Sequence, residues 1–122
     1  MAIAASGRRG MRLAARFAET WVTNGDRTRP GPVDAAQGAR DVRDQINLLE
    51  DACIEEGRDP AELSRLVLTG PILTSGLGSV DEFDDTVGRY AAIGVTDLVV
   101  HWPRAEEPYA ADYSTFERIF TA

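Results

Sequence analysis

The stretch VGRYAAIGVTDLVVHWP, residues 87–103, contains the two signals that decide the fold class. Its first part continues a helical spacing of apolar residues and stops at Gly94, a residue type that commonly ends helices. Its second part, Thr96–Trp102, is an apolar run between Gly94 and Pro103, which predicts a strand covered on both faces, as in a parallel sheet. A helix followed at once by such a strand is the repeating unit of an α/β fold.

The same alternation of short apolar runs and helical patterns extends to the amino terminus. Three more strands are predicted, and a single helical turn at Asp59–Glu62 precedes the third of them. The three runs are Ala2–Ala5, Thr20–Asn24 and Leu66–Leu73. Each predicted strand is followed by a helical pattern, so the sequence indicates four βα units.

The predicted helices are marked by capping signals and by apolar residues at helical spacing. Asp34 with Gln37, and Ser79 with Glu82, have the spacing of a capping box, and the last helix is expected from about Asp112. The expected buried faces are Met11, Ala14, Ala15 and Ala18; then Val42, Ile46, Leu49 and Cys53; then Phe83, Val87, Tyr90 and Ala91; and finally Tyr113, Phe116, Ile119 and Phe120. Right-handed crossovers between these units imply one parallel sheet.

Composition excludes several classes of function. The chain has 122 residues, a formal charge of -7 and 43% hydrophobic residues, so it predicts one acidic globular unit. Acidic surface disfavours binding to nucleic acid or to a membrane surface. The single Cys53 excludes an internal disulfide, and there is no secretory signal pattern and no apolar run of membrane-span length. A cytoplasmic location is therefore expected, with no metal site.

The segment Ser6–Gly10, SGRRG, lies where the first strand passes into a helix. Backbone N–H groups at a helix start bind anions, and two arginines add positive charge. The other interpretation is a tight turn in which Ser6 caps the helix and the arginines are solvated. The spacing alone does not decide between an anion site and a capped turn.

Polar residues also follow the other strands. His101 follows the fourth strand, at the end of a parallel sheet where ligands bind, but no Asp or Ser partner can be assigned to it, so it is not nominated as catalytic. Thr23 and Asn24 follow the second strand and Thr74–Gly76 follows the third. Ordinary loop chemistry explains all of these residues equally well.

Three other features have structural explanations. Trp21 is expected in the core, and Cys53 is expected to act as a small buried hydrophobe. The acidic residues of the segment 81–85 complement the dipole of the helix that starts there, so a metal site is not predicted among them.

Three stretches together resemble the luciferase-like flavin-dependent or deazaflavin-dependent oxidoreductases. They are IAASGRRGMRLAARFAETWVT (residues 3–23), LEDACIEEGRDPAEL (49–63) and VGRYAAIGVTDLVVHWP (87–103). In order and spacing they are similar to the family's carboxyl-terminal pattern, over nearly the whole chain. The resemblance implies the carboxyl-terminal half of a TIM (β/α)8 barrel, because a complete barrel needs about 250 residues.

The resemblance also implies a cofactor, FMN or coenzyme F420. The family's turn after the fifth strand holds the cofactor phosphate through backbone amides, and this role is carried over to Ala5, Ser6, Gly7 and Arg8. Most ring and substrate contacts come from the amino-terminal half in the family, so no catalytic residue is assigned. The expected chemistry is either hydride transfer or incorporation of one oxygen atom into a small organic substrate.

Two hypotheses follow. In the first, residues 1–122 are a fragment of a luciferase-like barrel that is inactive alone and forms an oligomer or pairs with an amino-terminal half, because open sheet edges and apolar faces favour association. In the second, the chain is a small doubly wound α/β module that holds a phosphate-bearing ligand without catalysis.

Overall fold

A computed structural model describes residues 1–105 and 111–121. Four strands alternate with four α-helices, and one 3-10 turn, Pro60–Glu62, precedes the third strand. The elements are β1 (Ala2–Ala4), α1 (Arg8–Phe17), β2 (Thr20–Thr23), α2 (Ala35–Glu55), β3 (Ser64–Leu68), α3 (Val80–Ala92), β4 (Asp97–Val99) and α4 (Tyr113–Thr121). The predicted order of four βα units is confirmed.

The four strands form one parallel sheet in the order β1-β2-β3-β4. Each strand lies next to the one that follows it in the chain, so the order never reverses. A doubly wound sheet has a reversal point, and this sheet has none. The parallel α/β sheet is therefore confirmed, and its sequential order is compatible with half of a (β/α)8 barrel.

The helices cover one face of this sheet. Consecutive helices contact one another from α1 to α4, so they lie on the same side. Side chains of Trp21 and Val67 point to that side and are fully buried among residues of α1 and α2. Because side chains alternate along a strand, the intervening positions point to the opposite face. That opposite face is called the open face here. It carries Ala4, Val22, Leu66, Leu68 and Val99, and nearer the amino ends of the strands it carries Ala2, Thr20, Ser64 and Asp97.

The core lies between α1, α2 and the helix-covered face. All residues predicted for the buried faces of these two helices are buried: Met11, Ala14, Ala15 and Ala18 on α1, and Val42, Ile46, Leu49 and Cys53 on α2. Asp34 caps α2 by accepting a hydrogen bond from the Gln37 backbone N–H, and Ser79 caps α3 in the same way through Glu82. Both predicted helix starts are confirmed, because capping depends only on residues within one turn.

The third strand differs from its prediction. It runs over Ser64–Leu68, whereas the apolar run predicted Leu66–Leu73. Gly70 adopts φ +143° and donates a hydrogen bond to the Leu73 carbonyl at 2.8 Å, so the chain turns there. Leu73 is still fully buried, but as an isolated bridge partner of Val33.

The fourth strand and the α3 face also differ from their predictions. β4 spans only Asp97–Val99, shorter than Thr96–Trp102, because its ladder ends where β3 ends. Its residues are at most half-buried, so the prediction that both faces of this strand are covered was wrong. On α3, Tyr90 is buried as predicted, but Val87 and Ala91 are exposed. Thr86 is buried instead, because its hydroxyl donates to the Glu82 carbonyl at 2.8 Å and so needs no water.

Two aromatic residues on α4 are half exposed. Tyr113 and Phe120 were predicted on the buried face of this helix, but they are 53% and 50% exposed. They belong to a chain of ring contacts that also includes Trp102, Phe116 and Phe83, with centroid distances from 4.7 to 5.8 Å. α4 therefore rests on other aromatic residues at the surface and not on the main core.

Candidate functional site

The turn after β1 is held by the core. The Trp21 indole N–H donates to the Ala5 carbonyl at 2.9 Å, and the Ala5 backbone N–H donates to the Val22 carbonyl at 3.3 Å. Both polar backbone groups of Ala5 are therefore used inside the fold. Ala5 fixes the position of the turn, and the free amides of this segment begin after it.

The start of α1 has no side-chain cap. Gly7 is the cap residue, and Ser6 does not donate to or accept from the first turn, so the capped-turn interpretation of Ser6 was wrong. The first turn contains no acidic residue, and four arginines lie within α1. The N–H groups of the first turn and the helix dipole thus present partial positive charge to an anion, and no acidic side chain of that turn offsets it.

Gly10 brings α1 close to the end of β1. A Cβ on Gly10 would lie 3.0 Å from the Ala5 Cβ, which is tighter than an ordinary contact. A Cβ on Gly7 would meet nothing within 4 Å. The small residue at position 10 is therefore required by packing, whereas the one at position 7 leaves the turn accessible.

A cleft of about 450 Å³ opens at the carboxyl ends of β1, β2 and β3. This volume lies in the range of small-molecule sites. The cleft is lined by Ala4, Ala5, Ser6, Gly10, Val22, Thr23, Asn24, Gly25, Arg27 and Leu68. Two of the four residues assigned to the phosphate, Ala5 and Ser6, line this cleft. Gly7, the α1 cap, is not among the lining residues, and Arg8 lines a separate cavity of about 190 Å³ between α1 and α2.

Arg27 is the cation of the cleft, and sequence reasoning missed it. Two arginines lie in the loop after β2, and the sequence gives no reason to choose between them. Arg29 makes a two-bonded ion pair with the buried Asp41, at 3.0 and 2.6 Å, which raises the pKa of the Arg29 guanidinium. Arg27 is exposed and forms no ion pair within the described residues. Only this pairing shows which arginine remains available.

The wall of the cleft after β2 is rigid. Thr23 donates to the Gln45 side-chain oxygen at 2.5 Å, Gln45 donates to the Gly25 carbonyl at 3.1 Å, and the Gly25 N–H donates back to Thr23 at 3.1 Å. All three residues are buried. Each polar group in this closed triangle has a partner, so Thr23 and Gly25 are fixed by α2.

Other sequence candidates lie elsewhere. His101 follows β4, three strands away from β1, and is not among the residues that line the cleft. Thr74 and Ser75 precede α3 and also lie outside the lining, so within the described residues neither the third nor the fourth strand end adds a polar side chain to it. Cys53 is fully buried, as predicted, and this burial raises the pKa of its thiol.

The chemistry available in the cleft is limited. Its lining contains no Asp, Glu, His, Cys or Tyr, so it offers no acid or base side chain from the described residues. Across residues 1–105 and 111–121 no group of three potential metal ligands occurs. The arrangement can therefore bind an anion and hold it in place, and a reaction there depends on groups brought by the ligand.

Fold and site together define a class: a parallel α/β protein with a cleft at the carboxyl end of its sheet. Comparison with protein-family models and with curated proteins yields no match to this chain. In the part of the chain that the structure describes, no helix is both long and apolar enough to cross a membrane.

Proposed function

We propose that this chain binds the phosphate of a flavin or deazaflavin cofactor, FMN or coenzyme F420, as the carboxyl-terminal half of a luciferase-like barrel oxidoreductase of the cytoplasm. The observation that carries this proposal is the cleft at the carboxyl end of the sheet, where the uncapped start of α1, Ser6 and Arg27 converge. Carboxyl-terminal clefts hold the phosphate groups of ligands in parallel α/β folds.

The residues present fit a phosphate group. Ser6 offers a hydroxyl, the amides from Ser6 to Arg8 offer N–H donors, and Arg27 offers a guanidinium. Gly10 keeps the helix start close to the strand end, so a phosphate can approach the backbone. Ala5 acts indirectly, because its own N–H is bonded to Val22. Arg8 contributes its backbone, since its side chain lines the other cavity.

The bound cofactor would supply the redox chemistry, either hydride transfer or incorporation of one oxygen atom from O2 into a small organic substrate. The chain's own residues position the phosphate and shield it. Val22 and Leu68 line one side of the cleft with apolar side chains. Since no acid or base side chain of the described residues lines the cleft, we infer that the isolated chain does not catalyse the reaction.

The test is a fluorescence titration of the purified chain with FMN, F420 and riboflavin. Riboflavin has the same ring as FMN and lacks the phosphate. We expect FMN or F420 to bind at least about tenfold more tightly than riboflavin, because charge-assisted hydrogen bonds to a phosphate contribute about 1.5–3 kcal/mol. Equal binding of FMN and riboflavin, or no binding by a folded chain, would contradict the proposal.

Matched variants locate the site. Arg27→Glu removes the cleft cation, and Arg43→Glu makes the same change on the exposed face of α2. Gly10→Ala pushes α1 against Ala5, whereas Gly7→Ala meets open space. We expect the position 27 and position 10 variants to weaken phosphate-ligand binding and the position 43 control to leave it unchanged. An equal loss with Arg43→Glu would show a nonspecific charge effect.

A second candidate, a non-catalytic phosphate-ligand module, is favoured by one observation. Among the described residues no aromatic side chain lines the cleft, so none of them stacks on a flavin ring there. The same titration separates the two functions. A module of this kind would bind inorganic phosphate and nucleotides as tightly as FMN, and its affinity would not depend on the ligand's ring.

A further inference from the structure

We propose that two copies of this chain associate head to tail, with the β4 edge of one copy pairing with the β1 edge of the other and the two open faces enclosed between them. The observations concern the open face, the two free edges and the distribution of charge, so this inference does not depend on a cofactor.

The open face is apolar toward the carboxyl ends of its strands, it carries Asp97 at the amino end of β4, and the helices within the described residues do not cover it. Ala4, Val22, Leu66, Leu68 and Val99 point away from the helices, and none of them belongs to the core cluster. Leu68 is 37% exposed and Ala4 is also exposed. Parallel sheets are normally covered on both faces, so this face requires a partner surface.

The two free edges present complementary backbone groups. The Ala5 N–H bonds to β2, so by the alternation of a strand the groups of Ala4 point to the free edge of β1. Val99 accepts from the Thr69 N–H on β3, so the groups of Leu98 point to the free edge of β4. Ile3 and Leu98 both project toward the helix-covered face. If Ile3 of one copy pairs with Leu98 of the other, the apolar side chains of both strands stay on the same face of the joined sheet.

The charges at the two edges are opposite. Residues 1–18 contain four arginines and no acid, whereas the described residues 79–105 and 111–121 contain seven acidic residues and three arginines. The chain is thus complementary to itself only when the end that carries β1 meets the end that carries β4. Attraction between these regions favours head-to-tail pairing over contact between like ends, which would place like charges together.

The outer helices show the same complementarity. On α1, Arg9, Leu13 and Phe17 are exposed at a spacing of four residues, with Leu13 and Phe17 47% and 57% exposed. On α4, Tyr113 and Glu117 are exposed at the same spacing. Neither Arg9 nor Glu117 forms an ion pair within residues 1–105 and 111–121. Adjacent helices contact throughout this fold, and the same contact between α1 and the partner's α4 would cover these residues.

One symmetry satisfies all of these requirements. A two-fold axis along the strand direction leaves every strand parallel, brings each β4 beside a β1, and closes both free edges at once. The resulting ring has eight strands with helices outside, a closed arrangement that removes the sheet edges. The charge pattern of the chain therefore favours a second copy as the partner that covers the open face.

The first test is the mass of the assembly, measured by analytical ultracentrifugation over a range of concentrations. We expect a species of twice the 13.3 kDa chain mass. Leu68→Glu places a charge on the enclosed face and should weaken the dimer about tenfold or more, because a buried unpaired charge is strongly unfavourable. Ile54→Glu is its control, since Ile54 is 69% exposed on α2.

A charge exchange then tests the head-to-tail geometry. Arg9→Glu should weaken the dimer, and the double variant Arg9→Glu with Glu117→Arg should restore it, whereas Arg43→Glu should have no effect. Circular dichroism confirms that each variant is folded. A folded wild-type monomer at all concentrations would overturn the proposal. So would a dimer that Leu68→Glu weakens but the charge exchange leaves unchanged, because that result indicates face-to-face contact without edge pairing.

Discussion

Trp21 and Trp102 mark two regions of this molecule with opposite environments. Trp21 is fully buried at the centre of the sheet and bonds to the Ala5 carbonyl, whereas Trp102 is 64% exposed beyond the end of β4. The unit built from β1, α1, β2 and α2 surrounds Trp21 with closely packed apolar residues. The unit of β4 and α4 is held mainly by ring contacts at the surface.

This difference indicates where stability and where association originate. The first unit buries its apolar residues within one chain, so it supplies most of the free energy of folding. The last unit leaves large aromatic residues half exposed, and exposed apolar surface of this kind is typical of an interaction site. The following predictions test this division, in order of decreasing effect.

Trp21→Ala should have the largest effect. Removing this side chain leaves a large cavity and an unpaired Ala5 carbonyl, so we expect a loss of about 3–5 kcal/mol in the free energy of unfolding. Urea denaturation at low protein concentration, followed by circular dichroism, measures this loss. A change below about 1 kcal/mol would show that the first unit is not the stability centre.

Thr23→Val should have the next largest effect. It keeps the shape of the side chain but leaves the Gln45 oxygen and the Gly25 N–H without partners, at a cost of about 1–3 kcal/mol. Thr23→Ser retains the hydroxyl and should cost less than about 1 kcal/mol, the value of one buried methyl group. Equal losses in the two variants would show that packing, and not the hydrogen-bonded triangle, fixes the cleft wall.

Tyr90→Phe should stabilise the chain. The Tyr90 hydroxyl is buried without a hydrogen-bond partner among the described residues, and a Cβ on Gly38 would lie 2.5 Å from it. Deleting the hydroxyl should raise the free energy of unfolding by about 1 kcal/mol. Chemical denaturation of both proteins at pH 8 measures this gain, and a loss in the variant would reveal a partner for the hydroxyl.

The same residue produces a dependence on alkaline pH. Burial, followed by the charges of Asp41 and Asp34, raises the pKa of Tyr90 from 10.0 to about 12. The unfolded chain ionises first, so this contribution is complete below about pH 10 and is lost as the pH rises through about 12. Denaturation curves between pH 9 and 12 should show this loss in the wild type, and Tyr90→Phe should remove that part of it.

Trp102→Ala should cost the single chain much less than Trp21→Ala does. Trp102 contacts Tyr113 and Phe116 at centroid distances of 5.8 and 5.2 Å, and such exposed pairs contribute about 0.5–1.5 kcal/mol. The loss should be measured below and above the concentration at which copies associate. A loss as large as that of Trp21→Ala at low concentration would abolish the distinction between the two regions.

The candidate site was only partly predictable from the sequence. The turn after β1 was found because a small-residue segment between a strand and a helix is a local pattern. Arg27 was missed because its availability depends on Asp41, which lies fourteen positions away in the sequence and pairs with Arg29 instead. Arg8 was assigned to the phosphate by resemblance, but the orientation of α1 directs its side chain into another cavity.

The sequence by itself determined the four βα units, the starts of α2 and α3, and the buried stripes of α1 and α2. Caps and stripes depend on residues within one or two turns, so local chemistry is sufficient. Tertiary structure alone decided where β3 and β4 end, that Thr86 and not Val87 is buried, and which side chains meet in the cleft. These features depend on the lateral order of the strands and on contacts between distant segments, which no local pattern encodes.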